Sequence, residues 1–496
     1  MASVLISHLL IPIIGAVIFP LLHKNARLVA WAATLMTGIT SGLAMWLLLE
    51  VNANGSFSYV FSSTTAAIGV EFLVTPFSTL FASAITLITT LILLFSIDSI
   101  VKDVEEERIV RYYTILLALV FAMLVLIYTN DLFNTYVFMA VVAITATALV
   151  SIKQKKENFM ASFRYLLLNE MGSMAYLLGV AILYLLTGAL NMNVVHEGLL
   201  VVAPTNMLSV YTATGLIIIG LSVKAAVFPL HIWLPDAHSS APSASSAMLS
   251  AIVIKAYLIV MIKFLYVVLG PDLVAQMSLD RYLVLLGVTA MIMGSFFALG
   301  QKDVKRILAY STVAQVGYIV IGLGLMTPLG LFAAMFHIVS HALMKSSLFL
   351  STGVFIYYKK RRRVHQFQGI GYQVPLSMLV FGTASLGMIG IPLTSGFVGK
   401  FQLSLGAVET GQSWIVIFIL MSSFLNAVYY LPLLLRAYVG ESQHHEHLGK
   451  IRIEAVPVTM LASVTMLGLG VLVLGIFPAF FFDLIDQAVL VFTGGV

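Results

Sequence analysis

The chain has 496 residues, 60% of them apolar and 9% charged, with a formal net charge of +5 and a mean hydropathy of +1.04. A soluble domain carries roughly 25% charged residues, so a soluble globule of this size, nucleic-acid binders included, is excluded, and lipid must be the solvent for most of the chain. The absence of cysteine excludes disulfides, thiolate metal sites and iron–sulfur ligands on this chain.

In chain order, apolar runs and turn signals predict fourteen membrane-spanning helices, near 3–21, 28–49, 76–97, 112–128, 131–151, 164–187, 209–230, 243–268, 282–300, 306–325, 329–356, 374–405, 413–435 and 457–480. The first lacks a basic leader and a small-residue cleavage site and is expected to be a retained helix. Segments of about ten alternating residues, the mark of a barrel, are absent. Between the second and third spans, SFSYVFSSTTAAIGVEF follows Asn54-Gly55 and is expected to form an external β-hairpin without chemistry of its own. The fold class expected is therefore an all-α polytopic membrane protein.

The basic residues set its orientation. The odd-numbered connections hold 20 Lys and Arg, including Lys24, Lys102, Lys153, Lys302, Lys305 and the run Lys359–Arg363, whereas the even-numbered ones hold only Arg281. Basic short loops stay on the cytoplasmic side, which places both termini outside. Five lysines remain, all within predicted spans: Lys224, Lys255, Lys263, Lys345 and Lys400. Lys263, near a span end, is expected to snorkel outward. The other four are expected to face a cavity or a partner, because a lysine at mid-membrane costs a few kcal/mol or more. Acids do not match them. Glu170 alone lies well inside a span; Asp98 and Asp131 sit at span ends, and Asp236 in the turn after span seven.

Two spans carry helix breakers. Pro229 interrupts span seven, and Pro392 lies in span twelve among Gly387, Gly390, Gly396 and Gly399. Spans four to eight and nine to thirteen form two five-helix sets, each with its fourth member interrupted, and an odd number of helices inverts the second set relative to the first. The organisation expected is three N-terminal helices with the hairpin (1–111), a first inverted repeat (112–268), a second (282–438), and a last helix with its tail (439–496). In span eleven, His337, His341 and Lys345 recur every four residues and share one face. Two histidines at that spacing suit a metal, but no third ligand is visible. Satisfied core histidines and a proton relay are the alternatives, and the relay is preferred because histidine titrates near neutrality. His231, Asp236, His238 and Asp131 are secondary candidates. The cytoplasmic HHEH cluster at 444–447 is expected to be a solvated loop.

Four stretches, VKAAVFPLHIWLPDAHSSAPSASSAMLSAIVIKAY, DVKRILAYSTVAQVGYI, HALMKSSLFLSTG and GIPLTSGFVGKF, resemble the antiporter-like membrane subunits. That family spans Mrp-type Na+/H+ antiporters, the proton-pumping subunits of respiratory complex I, and membrane-bound hydrogenase and sulfur-reducing complexes. The GFVGKF lysine and the length look most like the Mrp D subunit. The resemblance implies a first half-channel at Lys224, bridged by Lys255 to the span-eleven histidines and ending at Lys400. It further implies other integral membrane subunits as partners, protons as cargo with sodium left open, no cofactor on this chain, and the cytoplasmic membrane of a prokaryote. Two positions depart from the pattern: Ala140 stands where a mid-span glutamate pairs with the broken-helix lysine, and Thr75 where an aspartate commonly precedes span three. Either Glu170 replaces the glutamate as partner of Lys224, or the chain is a degenerate scaffold; the first is preferred, since an unpaired glutamate at that depth is costly. The host complex, free antiporter or redox-driven, is left open, and a solute transporter is disfavoured by the lack of a concentrated polar pocket.

Overall fold

In the computed structural model the described residues are 1–22, 25–60, 70–439 and 456–494, and the HHEH segment lies outside them. Thirteen helices among these are long and apolar enough to cross a membrane. Apolar side chains cover much of the outside, as lipid demands, while Val304–Gly324 and Pro328–Lys359 are enclosed almost completely at the centre. These two helices and Ser243–Gln276 hold the core that positions the site.

The two ends of the bundle differ. At one end the basic loops tie to each other. Lys153 pairs with Asp103 at 2.7 Å, Asp236 pairs with Arg164 at 2.9 Å and Arg306 at 2.6 Å, and Asp303 pairs with Arg362. At the other end, strand Phe57–Val60 pairs antiparallel with Glu71–Val74, and Glu71 accepts hydrogen bonds from Asn130 (2.9 Å) and Asn191 (2.7 Å). The expected hairpin thus forms from residues on either side of 61–69, which lie outside the described residues. Thr75, the family's usual aspartate position, is an N-cap: its hydroxyl accepts from Ser78 N, while Ser78 Oγ accepts from Thr75 N at 2.8 Å. A hydroxyl performs the capping that an aspartate would.

Several expected boundaries are corrected. The seventh helix runs Met192–Lys224, far earlier than expected and kinked at Asn206 behind Pro204, and it stops at Lys224. Residues 225–233 are turns and Leu234–Ser240 follows, so Pro229 lies within the interruption, which begins directly after Lys224. The sixth helix, Lys156–Thr187, begins eight residues earlier than expected, so Arg164, counted among the loop charges at the expected span start, lies inside it. The tail after the last span is a helix, Ala479–Thr493, whose Phe492 and Phe482 pack on Phe77 and Phe332 at 4.7 and 5.0 Å between ring centres. Its 15 residues are too few to span, and it lies across the end that carries the hairpin.

The interruption at Pro392 is as expected. Pro375–Ile389 ends at Gly390, and Ser395–Glu409 begins five residues later. Gly390 has φ +93°, a left-handed conformation that glycine adopts without strain, and Lys400 packs directly against it. Gly396 sits so close to the first half-helix that a Cβ there would lie 1.9 Å from Gly387 O. Replacing Gly396 with alanine is therefore expected to force the two halves apart, at about 1–3 kcal/mol or more, seen as a lower melting temperature and reduced yield. Unchanged yield and melting would contradict this packing.

Candidate functional site

Six lysines are buried in the interior: Lys224, Lys255, Lys263, Lys305, Lys345 and Lys400. None has a carboxylate within 4 Å among the described residues. Each donates instead to backbone carbonyls. Helix ends and irregular turns supply the acceptors of Lys255, Lys263, Lys305 and Lys400, because carbonyls there lack the usual partner four residues on, whereas those of Lys224 and Lys345, Met139 O and Leu308 O, lie inside regular helices.

Lys224 ends its helix with Nζ 3.5 Å from Met139 O and 5.2 Å from the ring centre of Tyr257, whose hydroxyl also reaches Met139 O at 3.5 Å. Met139 adjoins Ala140, so backbone and an aromatic face surround the ammonium where the resemblance implies a glutamate. Glu170 is half-buried, its Oε1 has no hydrogen-bond partner, and it forms no ion pair with Lys224. Its charge does reach Lys224, Tyr165 and Tyr257. The pair expected from sequence is thus near but open.

Lys255 follows a π-helical turn, Leu249–Val253, and donates to Ser250 O at 2.7 Å. Such turns often mark functional sites, because they displace carbonyls from the regular ladder. Lys345 donates to Leu308 O at 2.7 Å and to Ser311 Oγ, which is itself 2.9 Å from the Tyr430 hydroxyl. One turn earlier, the His341 ring has neither nitrogen bonded and stacks on His337 at 6.1 Å. His337 Nε2 lies 2.8 Å from Gln315 Oε1, and its ring is 5.5 Å from Tyr318. Lys400 also lies beside Tyr318, 4.7 Å from that ring's centre. It donates to Met388 O (2.8 Å), Ile389 O (2.9 Å) and Ser423 Oγ (3.0 Å), capping the first half of the broken helix.

The fields of these groups overlap in sequence. The charge of Lys255 acts on Lys345, both act on His341, and Lys255 and Lys400 both act on His337. The structure thus brings Lys255, Lys345, His341, His337 and Lys400 into one line, while Lys224 joins only through Tyr257, two residues from Lys255. Among the described residues no third donor completes the histidines into a metal site. Desolvation and mutual repulsion oppose charging several such buried cations together. A proton placed on one such group would disfavour a proton on the next, and an imidazole can act as both donor and acceptor.

The secondary candidates part company. His238 is fully buried with both nitrogens unbonded, against Phe349 at 5.2 Å, and Lys345, Lys305 and Lys255 all act on it. It belongs with the line. His231 instead packs among Phe228, Phe297 and Tyr310. Asp236 is the ionic clamp at the basic end. Asp131 caps Leu132–Ser151 by accepting from Asn134 N at 2.6 Å, and burial pushes its carboxyl above the usual range while that hydrogen bond pulls it down.

Two lysines were misplaced by composition. Lys263 does not snorkel: it is 8% exposed and donates to Leu126 O (3.3 Å), Thr129 O (2.9 Å) and Ile127 O, capping Glu106–Tyr128. Lys305, counted as a loop charge, is buried and donates to Ala241 O (2.8 Å) and Ser246 Oγ (3.3 Å). The capping role of Lys263 predicts that Lys263→Met costs about 1–3 kcal/mol of stability through lost hydrogen bonding, seen as a lower melting temperature, yet leaves proton movement intact. Loss of proton movement at full stability would move Lys263 into the relay. Tyr257, Gln315, Tyr318 and Ser311 were missed as site residues, because uncharged partners leave no mark in a charge count.

Fold and site together define a class: a polytopic membrane subunit with a line of buried titratable groups running between two interrupted helices. The chain belongs to the NADH:quinone oxidoreductase/Mrp antiporter transmembrane family, whose model matches residues 129–426. It is 38% identical over 360 residues, 70% of each chain, to NADH-quinone oxidoreductase subunit N of Desulforudis audaxviator. It is 27% identical to the putative antiporter subunit mnhD2 of Staphylococcus saprophyticus, over 98% of this chain and 95% of that one. In structure it resembles a chain of the membrane-bound sulfane sulfur reductase, an archaeal respiratory membrane complex, with a TM-score of 0.89 at 30% identity over 98% of this chain and 97% of that one.

Proposed function

We propose that this chain is a proton-translocating subunit of a multi-subunit membrane complex, with fourteen spans, both termini outside and two inverted five-helix repeats meeting at the lysine–histidine line. The observation that carries the reading is the series Lys255, Lys345, His341, His337 and Lys400, buried, with no carboxylate within 4 Å of its lysines among the described residues, and within reach of one another's charge. The inverted plan gains support from the two interruptions, 225–233 and 390–394, each with a buried lysine, although Lys224 precedes its break while Lys400 follows the other. Glu170 is the carboxylate whose approach to Lys224 and withdrawal from it gate the first step. A proton moved against 100 mV requires about 2.3 kcal/mol, which the making or breaking of one such contact can supply.

The host complex has two readings. A full-length likeness to antiporter subunits supports a Mrp-type Na+/H+ antiporter of a prokaryotic cytoplasmic membrane, in which this chain takes the place of the Mrp D subunit. The higher identities to a quinone oxidoreductase subunit and to the sulfur reductase chain favour a redox-driven complex. Tagging the C-terminus, extracting in mild detergent and measuring iron beside the co-purifying chains separates them. Iron with hydrophilic partners identifies the redox complex; small hydrophobic partners without iron identify the antiporter. Purification of this chain alone, with no partner, would overturn the subunit reading.

A further inference from the structure

At the basic end of the bundle, a cavity of about 610 Å³ opens between the start of Ala26–Asn54 and the end of Pro76–Asp103. It does not touch the lysine–histidine line, and nothing in the proton route uses it. Its volume is within the roughly 300–1,000 Å³ of small-molecule sites. Five charged side chains rim it: Arg27, Lys102, Asp98, Glu105 and Glu106. We propose that this cavity holds the headgroup of one zwitterionic phospholipid with a primary amine, of the phosphatidylethanolamine type.

Depth and shape both point to a lipid. The cavity lies at the level of the basic loops, where headgroups sit. Directly below Arg27, one and two helical turns on, Trp31 and Leu35 are 46% and 65% exposed, and Val101 on the opposite wall is 62% exposed. An acyl chain leaving the cavity would follow this open apolar face, with Trp31 at the polar boundary that tryptophan favours.

The charges select the headgroup. Arg27 has no ion pair among the described residues and is free to meet a phosphate. Lys102 is held in place by Tyr357, with Nζ 3.3 Å from its carbonyl and 3.4 Å from its ring centre, and keeps a donor for the same phosphate. Of the acids, Glu105 is paired with Arg108 at 2.8 Å and Asp98 accepts from Thr459, which leaves Glu106 without an ion pair among the described residues. With Glu105 neutralised by Arg108, two cations and two carboxylates face the cavity, a balance that matches a headgroup with one negative and one positive charge better than one of net negative charge. A primary ammonium donates N–H bonds to Glu106 and Asp98, which a quaternary amine lacks.

The test uses the whole complex, stripped of lipid in detergent and exchanged into equal amounts of dioleoyl phosphatidylethanolamine and dioleoyl phosphatidylglycerol. Lipid retained through gel filtration is counted by mass spectrometry. One phosphatidylethanolamine per chain is expected, at about tenfold preference over phosphatidylglycerol. Arg27→Ala with Glu106→Gln, and separately Val101→Trp, which fills the cavity mouth without removing a charge, are each expected to lower retention about tenfold. Undiminished retention in Val101→Trp, or a preference for phosphatidylglycerol, overturns the proposal. So does a photo-crosslinker at Val101 that captures a partner subunit instead of lipid.

Discussion

Replacing Lys255 with methionine is expected to cut proton translocation by the assembled complex about 100-fold or more, the scale of losing a positioned proton-transfer group. Methionine fills a similar volume and leaves only Ser250 O without its donor, about 1–3 kcal/mol, so the complex should still assemble. The effect is large because Lys255 is the branch point. Its charge reaches Lys345, His341, His337 and His238, and two residues on in the same helix Tyr257 meets Lys224. Translocation within about threefold of wild type would show that protons bypass Lys255.

Glu170→Gln is expected to abolish translocation as thoroughly as Lys224→Ala. Gln keeps the shape and removes the charge, and Glu170 Oε1 makes no hydrogen bond that would be lost, so stability should be unchanged. In the structure the two side chains are not paired, while Lys224 rests on Met139 O. That resting contact is expected of an open gate, in which approach of the carboxylate draws the ammonium away from its carbonyl. Flux in Glu170→Gln equal to wild type would instead favour the scaffold reading, with Ala140 marking a gate that has been lost.

Much of this site was legible in the chain itself, for identifiable physical reasons. Lysines inside charge-free stretches are too costly to be incidental, and Pro392 among glycines reveals an interruption that the structure places at 390–394. His337, His341 and Lys345 share a face because a helix repeats every 3.6 residues, and the structure stacks the two rings. What stayed hidden depends on partners distant in sequence. Lys263 looked like a snorkelling residue because nothing near it in the chain reveals that Leu126, Ile127 and Thr129 offer their carbonyls. Lys305 sits two residues after the N-cap Asp303 and passed for a loop charge; only the fold reveals Ala241 O beside it. The Ala479–Thr493 helix was hidden because it is short and its two aspartates break the apolar run. The departure at Ala140 was visible, but its consequence, a lysine held by backbone, was not.

The measurement that bears most directly on the central claim is proton flux through the whole complex in sealed vesicles, read with a pH-sensitive dye while the complex turns over. Wild type, Lys263→Met and the double variant Lys255→Met/Lys345→Met should be compared at equal assembly. Wild type and Lys263→Met are expected to move protons at rates within about twofold, while the double variant stays at the leak rate. Proton movement in the double variant at the wild-type rate would contradict a relay along the lysine–histidine line.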